Sequence, residues 1–188
     1  MDDNSKFSFK NTVVPVITLT VICCVITALL ALTHAVTAEP TAKNNEIKAD
    51  KMRREIFTDA TEFSQQDDYY TAFDGDKTLG YIFETSAKGY GGDISVMTGI
   101  DTDGAVVGVQ ILTHSETPGL GANCTQDSFK DQFIQPYFDG NYNVIKGESE
   151  SINGNIDAIT GATISSKAVT SAVNKALESY EDIIKRGE

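Results

Sequence analysis

Tryptophan is absent from this chain of 188 residues, so any aromatic platform has to come from its nine Phe and seven Tyr. Histidine is scarce, with only His34 and His114, and the three cysteines are Cys23, Cys24 and Cys124. These residues form no ligand spacing, so no metal site is expected. There is no CxxC pair and no disulfide framework. Cys23 and Cys24 stand side by side in an apolar run, where they read as small packing residues. A lipid-modified cysteine is excluded because Ile22, not a small residue, precedes Cys23. Cys124 reads as a buried or idle thiol. Cations are few, 15 against 27 acids for a net charge of −12, and this excludes nucleic acid as a partner. It equally disfavours electrostatic attachment to anionic headgroups. No paired carboxylate or nucleophile stands at a recognisable spacing from His114, which is read as packing within its loop or facing solvent. No catalytic residue is expected, and no complete active site. At 40% hydrophobic and 22% charged residues, the chain is nonetheless globular rather than disordered.

Charge is missing altogether between Lys10 and Glu39, where Val, Ile, Leu, Ala and Thr dominate. As a helix, Val13 to Val36 would reach roughly 36 Å, enough to cross a hydrocarbon core with some tilt. Pro15 near its start costs such a helix little. The run exceeds the usual signal-peptide core of about 7–15 residues, so a retained anchor in membrane lipid is expected despite the cleavage-like Val36-Thr37-Ala38. His34 would lie at the interface. Lys6 and Lys10 precede the run, while Glu39, Lys43 and Glu46 follow it. The positive-inside rule then puts the N-terminus in the cytoplasm and the bulk of the chain outside a cell membrane crossed once. The organisation expected is a cytoplasmic N-terminus at 1–10, a transmembrane helix at 11–38, a helical stalk at 39–65 and an extracytoplasmic domain at 66–188.

Beyond Pro40 the pattern turns polar. Ile47, Met52, Ile56, Ala60 and Phe63 recur at helical spacing. From Tyr69 the period becomes that of strands, expected at 69–73, 78–86, 93–101 and 105–113. The Asp74-Gly75-Asp76 and Asp101-Thr102-Asp103-Gly104 breaks predict antiparallel hairpins. A short helix is predicted over 128–134, a strand near 142–145 and a final helix over 165–185. The fold class is α+β, with an antiparallel sheet and a C-terminal helix.

Three glycine-rich segments stand out. Asp157-Ala158-Ile159-Thr160-Gly161-Ala162-Thr163-Ile164-Ser165-Ser166 places four hydroxyls at the start of the last helix. Two readings fit these residue types. Free amides and the helix dipole favour a phosphate there; alternatively a Thr or Ser simply caps the helix while Gly161 makes the turn. Asp157 reads as a turn residue. Gly89-Tyr90-Gly91-Gly92 precedes a strand, and His114-Ser115-Glu116-Thr117-Pro118-Gly119-Leu120-Gly121 follows one. Their glycines would let backbone approach a planar ring closely, and Thr117 offers it a hydrogen bond. Each could equally be a structural loop, since Pro118-Gly119 is a turn signal in itself.

In this order the three segments resemble the FMN-binding domain family. Asp-x-x-Thr-Gly-Ala-Thr is similar to its flavinylation motif, which implies FMN on Thr163 through a phosphoester made from FAD by a separate flavin transferase. Asp157 would then belong to transferase recognition. The resemblance implies flavin contacts from Thr160, Gly161, Ala162, Ile164, Ser165 and Ser166, from Glu116, Thr117, Gly119 and Leu120, and from Gly89 and Tyr90. Over nearly the whole chain, including Arg54-Glu55-Ile56-Phe57, it resembles the G subunits of Rnf electron-transport complexes. The C subunits of sodium-pumping NADH:quinone reductases share the motifs but tend to be longer. The Rnf resemblance implies a flavin relay between ferredoxin and NAD, coupled to ion transport, with the other membrane and peripheral subunits of the complex as partners. A free-standing extracytoplasmic FMN electron carrier and an ectodomain without flavin are the alternatives.

Overall fold

The computed structural model describes residues 9–147 and 154–187. They form two compact units, Met1–Lys48 and Ala49–Glu188. The first consists of most of helix α1 (Phe9–Ile56). Within it Val13–His34 is 22 residues long, apolar and unburied, which is enough to cross a bilayer. The hydroxyls of Thr18, Thr20, Thr27 and Thr33 each donate to the carbonyl four residues back at 2.7–2.9 Å. Their polarity is thereby absorbed into the helix, so they do not interrupt the apolar run. Most of the expected N-terminal segment 1–10, Lys6 included, lies outside the described residues.

The stalk expected to be helical over 39–65 is corrected by the structure. Helix α1 stops at Ile56, and Phe63 lies in strand β1 (Glu62–Gln65). The Thr61 N–H donates to Phe73 O at 2.8 Å, so the chain has joined the sheet before Phe63 is reached. The second compact unit starts at Ala49, well ahead of residue 66. A four-residue strand is too short for its period to compete with a helical pattern running into it.

Strands β1, β2 (Tyr69–Asp74), β3 (Lys77–Lys88), β4 (Asp93–Asp101) and β5 (Val106–Thr113) form one antiparallel sheet in chain order. Both predicted hairpins are present. At the second, Asp101 Oδ1 accepts the N–H groups of Asp103 and Ala105, each at 2.9 Å. Both faces of the sheet are covered, as the alternation along β3 and β4 requires. On one face Phe83, Val96, Ile100, Val109 and Ile111 meet Val169, Ala172, Val173 and Ala176 of helix α3 (Thr163–Arg186). The alanine stripe lets this helix approach closely, and Thr85 Oγ1 donates to Ala172 O at 2.8 Å. On the other face Ile56 and Phe57 pack with Ala72, Ile82 and Met97. Their seat is bare backbone, because a Cβ at Gly80 or Gly99 would collide with these two side chains. Arg53, only 4% exposed, lays its guanidinium 3.9 Å from the Tyr70 ring centroid and 3.6 Å from Glu84.

After β5 come a 3-10 turn (Gly121–Thr125), helix α2 (Asp127–Lys130) and a second 3-10 turn (Asp131–Phe133). The single helix predicted over 128–134 is therefore two short pieces, with Phe129 and Phe133 edge-to-face at 5.6 Å. Strand β6 (Asn143–Ile145) pairs in parallel with β7 (Asn155–Asp157), a strand the sequence pattern does not separate from its surroundings. This small sheet positions the site, because it delivers the chain from Ile156, wholly buried, straight to the start of α3.

Candidate functional site

The Asp157–Ser166 segment is held rigidly at both ends. Ala158 N–H donates to Ile145 O at 2.9 Å, and Ala162 N–H to Ile159 O at 2.9 Å. Gly161 takes φ = 77°, the left-handed conformation a glycine adopts without strain. Helix α3 then begins at Thr163 with Ala162 as its N-cap and no side-chain cap. Plain capping by Thr or Ser, the simpler of the two sequence readings, is thus not what these hydroxyls do. Ser166, fully buried, donates to Ala162 O and accepts the Ile159 N–H at 2.9 Å. Ser165 turns inward to Glu116. Thr163 is half-buried, and among the described residues its hydroxyl has no hydrogen-bond partner. The first amides of α3 lack intrahelical acceptors by helix geometry.

This helix start forms one wall of a cleft of about 860 Å³. Thr160, Gly161, Ala162, Thr163, Ile164 and Ser165 line it, together with Glu116, Thr117 and Leu120 from the loop after β5 and Tyr90 from the β3–β4 turn. All three motifs therefore meet at one place. Tyr90 is 74% exposed, and Leu120 and Ile164 are also exposed, so the rim is apolar. Of the residues expected around a flavin, Gly89, Gly119 and Ser166 do not line the cleft. Lys146, Gly147, Ala158 and Ile159 line it without having been expected, and Gly121 of the Glu116 loop lines it too. Lys146 is the one cation among the lining residues. Its signal in the sequence is faint, a single Lys after a three-residue strand.

Glu116 differs most from expectation. It is only 6% exposed. One carboxylate oxygen accepts the N–H groups of Tyr90 and Gly91 at 2.8 and 2.9 Å; the other accepts the Ser165 hydroxyl at 2.6 Å. Burial alone would raise its pKa. The bonds from Ser165, Gly91 and Tyr90, and the field of His114, outweigh burial and hold the carboxyl below the ordinary value of 4.5. The glycines expected to approach a ring instead make room for this side chain. A Cβ at Gly89 or Gly121 would collide with a Glu116 oxygen, and one at Gly91 with the Ser115 carbonyl. His114 accepts the Glu116 N–H on Nδ1 at 3.2 Å, a bond internal to its loop. Cys124 is wholly buried, its thiol pushed up to about 11 by burial and then by the charge of Glu116.

Asp157 is not in a turn. It ends β7, its N–H donates to Gln132 Oε1 at 2.7 Å, and its buried Oδ1 has no partner among the described residues. It faces a second, shallower hollow beside Gln126, Phe129 and Thr160 rather than the cleft. Among the described residues no cluster of metal-binding side chains occurs.

The cleft's residues fit FMN. Tyr90, Leu120, Ile159 and Ile164 offer apolar surface to a ring, the uncapped helix start and Lys146 suit a phosphate, and the volume is that of a cofactor pocket. The FMN-binding domain family model matches residues 89–178, which include all three motifs. The chain is 38% identical to the G subunit of the proton-translocating ferredoxin:NAD(+) oxidoreductase complex of Clostridium ljungdahlii, over 94% of this chain and 92% of that one. It is 32% identical to the G subunit of the Na(+)-translocating ferredoxin:NAD(+) oxidoreductase complex of Acetobacterium woodii, over 88% and 89%. Among solved structures, the C subunit of the Na(+)-translocating NADH-quinone reductase from Parabacteroides distasonis aligns with a TM-score of 0.50 at 27% identity, covering 60% of this chain and 59% of that one. NqrC of Shewanella oneidensis, at 20% identity and a TM-score of 0.52 over 64% and 67% of the two chains, shares the fold.

Proposed function

This chain belongs to the family of G subunits of ion-translocating ferredoxin:NAD(+) oxidoreductase complexes, and from that premise we propose that it relays electrons through FMN bonded covalently to Thr163. The observation that carries this reading is the position of the Thr163 hydroxyl. It is without a hydrogen-bond partner among the described residues, half-buried, at an uncapped helix start, and on the wall of the cleft in which three sequence motifs converge. A separate flavin transferase would supply the FMN half of FAD, the Thr163 oxygen bonding to phosphorus as AMP leaves. The bound flavin would supply the redox chemistry.

The chain's own residues supply position and electrostatics. The amides at the start of α3 and the positive end of its dipole would hold the phosphodiester charge. Among the described residues, Lys146 adds the one cationic side chain on the cleft wall. Thr117, exposed on the opposite loop, would offer its hydroxyl to the polar edge of the ring, and Tyr90 and Leu120 would flank it. Asp157, beside a different hollow, would serve the transferase rather than the flavin.

The protein is membrane-anchored by the apolar part of α1, and the partners of this role are the other subunits of the complex. The attachment is tested by Thr163→Ala, which should abolish flavin fluorescence on the denatured chain and remove the FMN mass. The fold should survive with a stability change within about 0.5 kcal/mol, because this hydroxyl caps nothing. FMN retained on that variant would overturn the assignment. The charge bias about the span further supports a flavin domain outside the cytoplasm. An impermeant protease added to spheroplasts should then cleave beyond Glu46. Cleavage confined to inverted vesicles would reverse that orientation.

A further inference from the structure

Glu116 is an acid held out of water that no Lys or Arg accompanies among the described residues. Beside the field of His114, its compensation is hydrogen bonds, and they come from distant parts of the chain. Tyr90 and Gly91 are 26 and 25 residues before it, and Ser165 is 49 residues after it. One side chain thereby joins the β3–β4 turn, the loop after β5 and the first turn of α3. Glycine at 89 and at 121 leaves space that a Glu116 oxygen fills, and a side chain at either position would expel it. Ser165 lies two residues beyond Thr163, and Tyr90 stands at the rim of the same cleft.

On the reading that Thr163 bears the flavin, we propose that Glu116 is the positioning residue of the attachment site, pinning the first turn of α3 and the Tyr90 loop so that the Thr163 hydroxyl is presented before any flavin arrives. The pin is geometric. Both oxygens are used as acceptors, and Gln in the same place keeps the two amide bonds on its carbonyl while its NH2 donates to the Ser165 hydroxyl. Removing the acceptors would strip the Tyr90 and Gly91 amides of their partner and leave the helix start unanchored.

The test measures the initial rate of flavin attachment to the full chain in detergent, with FAD and a flavin transferase, by intact mass. Hydrogen–deuterium exchange of peptides covering 89–92 and 160–166 is followed in the flavin-free protein. Glu116→Ala should slow attachment at least tenfold and speed exchange in both peptides, whereas Glu116→Gln should label within about twofold of the wild-type rate and speed exchange far less than Glu116→Ala. Glu116→Ala labelled at the wild-type rate would overturn the proposal. Should Glu116→Ala fail to fold, Ser165→Ala, which cuts one arm of the pin, decides. It should reach full labelling several-fold more slowly, with faster exchange at 160–166 only; unchanged rate and exchange would overturn the proposal. A wild-type chain that accepts no flavin sinks the Thr163 reading instead, so the two failures are told apart.

Discussion

At the scale of single residues, the site is shaped as much by what its glycines admit as by what its polar groups offer. Glu116 contributes more stability while ionised, because its bonds from Ser165, Gly91 and Tyr90 are strongest to the carboxylate. Its pKa in the folded chain lies below the ordinary 4.5, so its contribution is complete above that value and is lost as the pH falls through the lower, folded one. Glu116→Gln keeps the hydrogen-bond geometry but removes the charge. It should melt roughly 3–6 °C below the wild type at pH 7, and the gap should narrow as the pH falls below 4.5. Melting curves followed by circular dichroism at pH 7 and on the acid side of that value check this. A gap that does not change with pH would mean that ionisation of Glu116 adds nothing to stability. Thr163 is legible in the sequence because its motif is compact. Glu116 is legible only as a loop member, since a carboxylate that binds backbone amides 25 residues away leaves no periodic mark.

At the scale of elements, the long regular pieces are readable and most of the short ones are not, β6, expected near 142–145 and found at Asn143–Ile145, being the exception. Strand β4 is expected over Asp93–Asp101 and is found there, because Ile94, Val96 and Ile100 alternate with residues of the other face between two clear turns. Helix α3 starts two residues earlier than expected, its first turn carrying Thr163 and Ile164 ahead of the buried stripe that makes the pattern. Strand β1, strand β7 and the split of α2 from its neighbouring 3-10 turns escape because three or four residues cannot display a period. These short pieces have consequences for the site. The parallel pairing Val144↔Ile156 puts Lys146 and Asp157 on adjoining strand ends, so one reaches the cleft while the other turns to the hollow beside it. Pairing between segments of opposite character, one of them wholly buried Ile156 and the other half-exposed Val144, is a tertiary choice that local pattern does not encode.

For the molecule as a whole, the division that matters lies at residue 49 rather than at residue 66. The last turns of α1 belong to the folded domain: Arg53 covers Tyr70, and Ile56 and Phe57 fill the glycine-floored seat on the sheet. Without them Ala72, Ile82 and Met97, all unexposed, would face water. A chain starting at Asn45 keeps the whole of this unit and loses the apolar span, so it should be soluble without detergent and melt cooperatively. A chain starting at Thr58 loses one buried Ile and one buried Phe, side chains whose removal costs about 2–5 and 3–5 kcal/mol. The guanidinium that caps Tyr70 and meets Glu84 goes with them. Their sum is comparable to the entire stability of an ordinary domain, about 5–15 kcal/mol. The shorter chain should therefore lack a cooperative transition at 25 °C or aggregate on purification. Circular dichroism melts of the two chains side by side decide the matter. Transitions within a few degrees of each other would show that the α1 segment from Ala49 to Ile56 is an attachment to the domain and not part of its core.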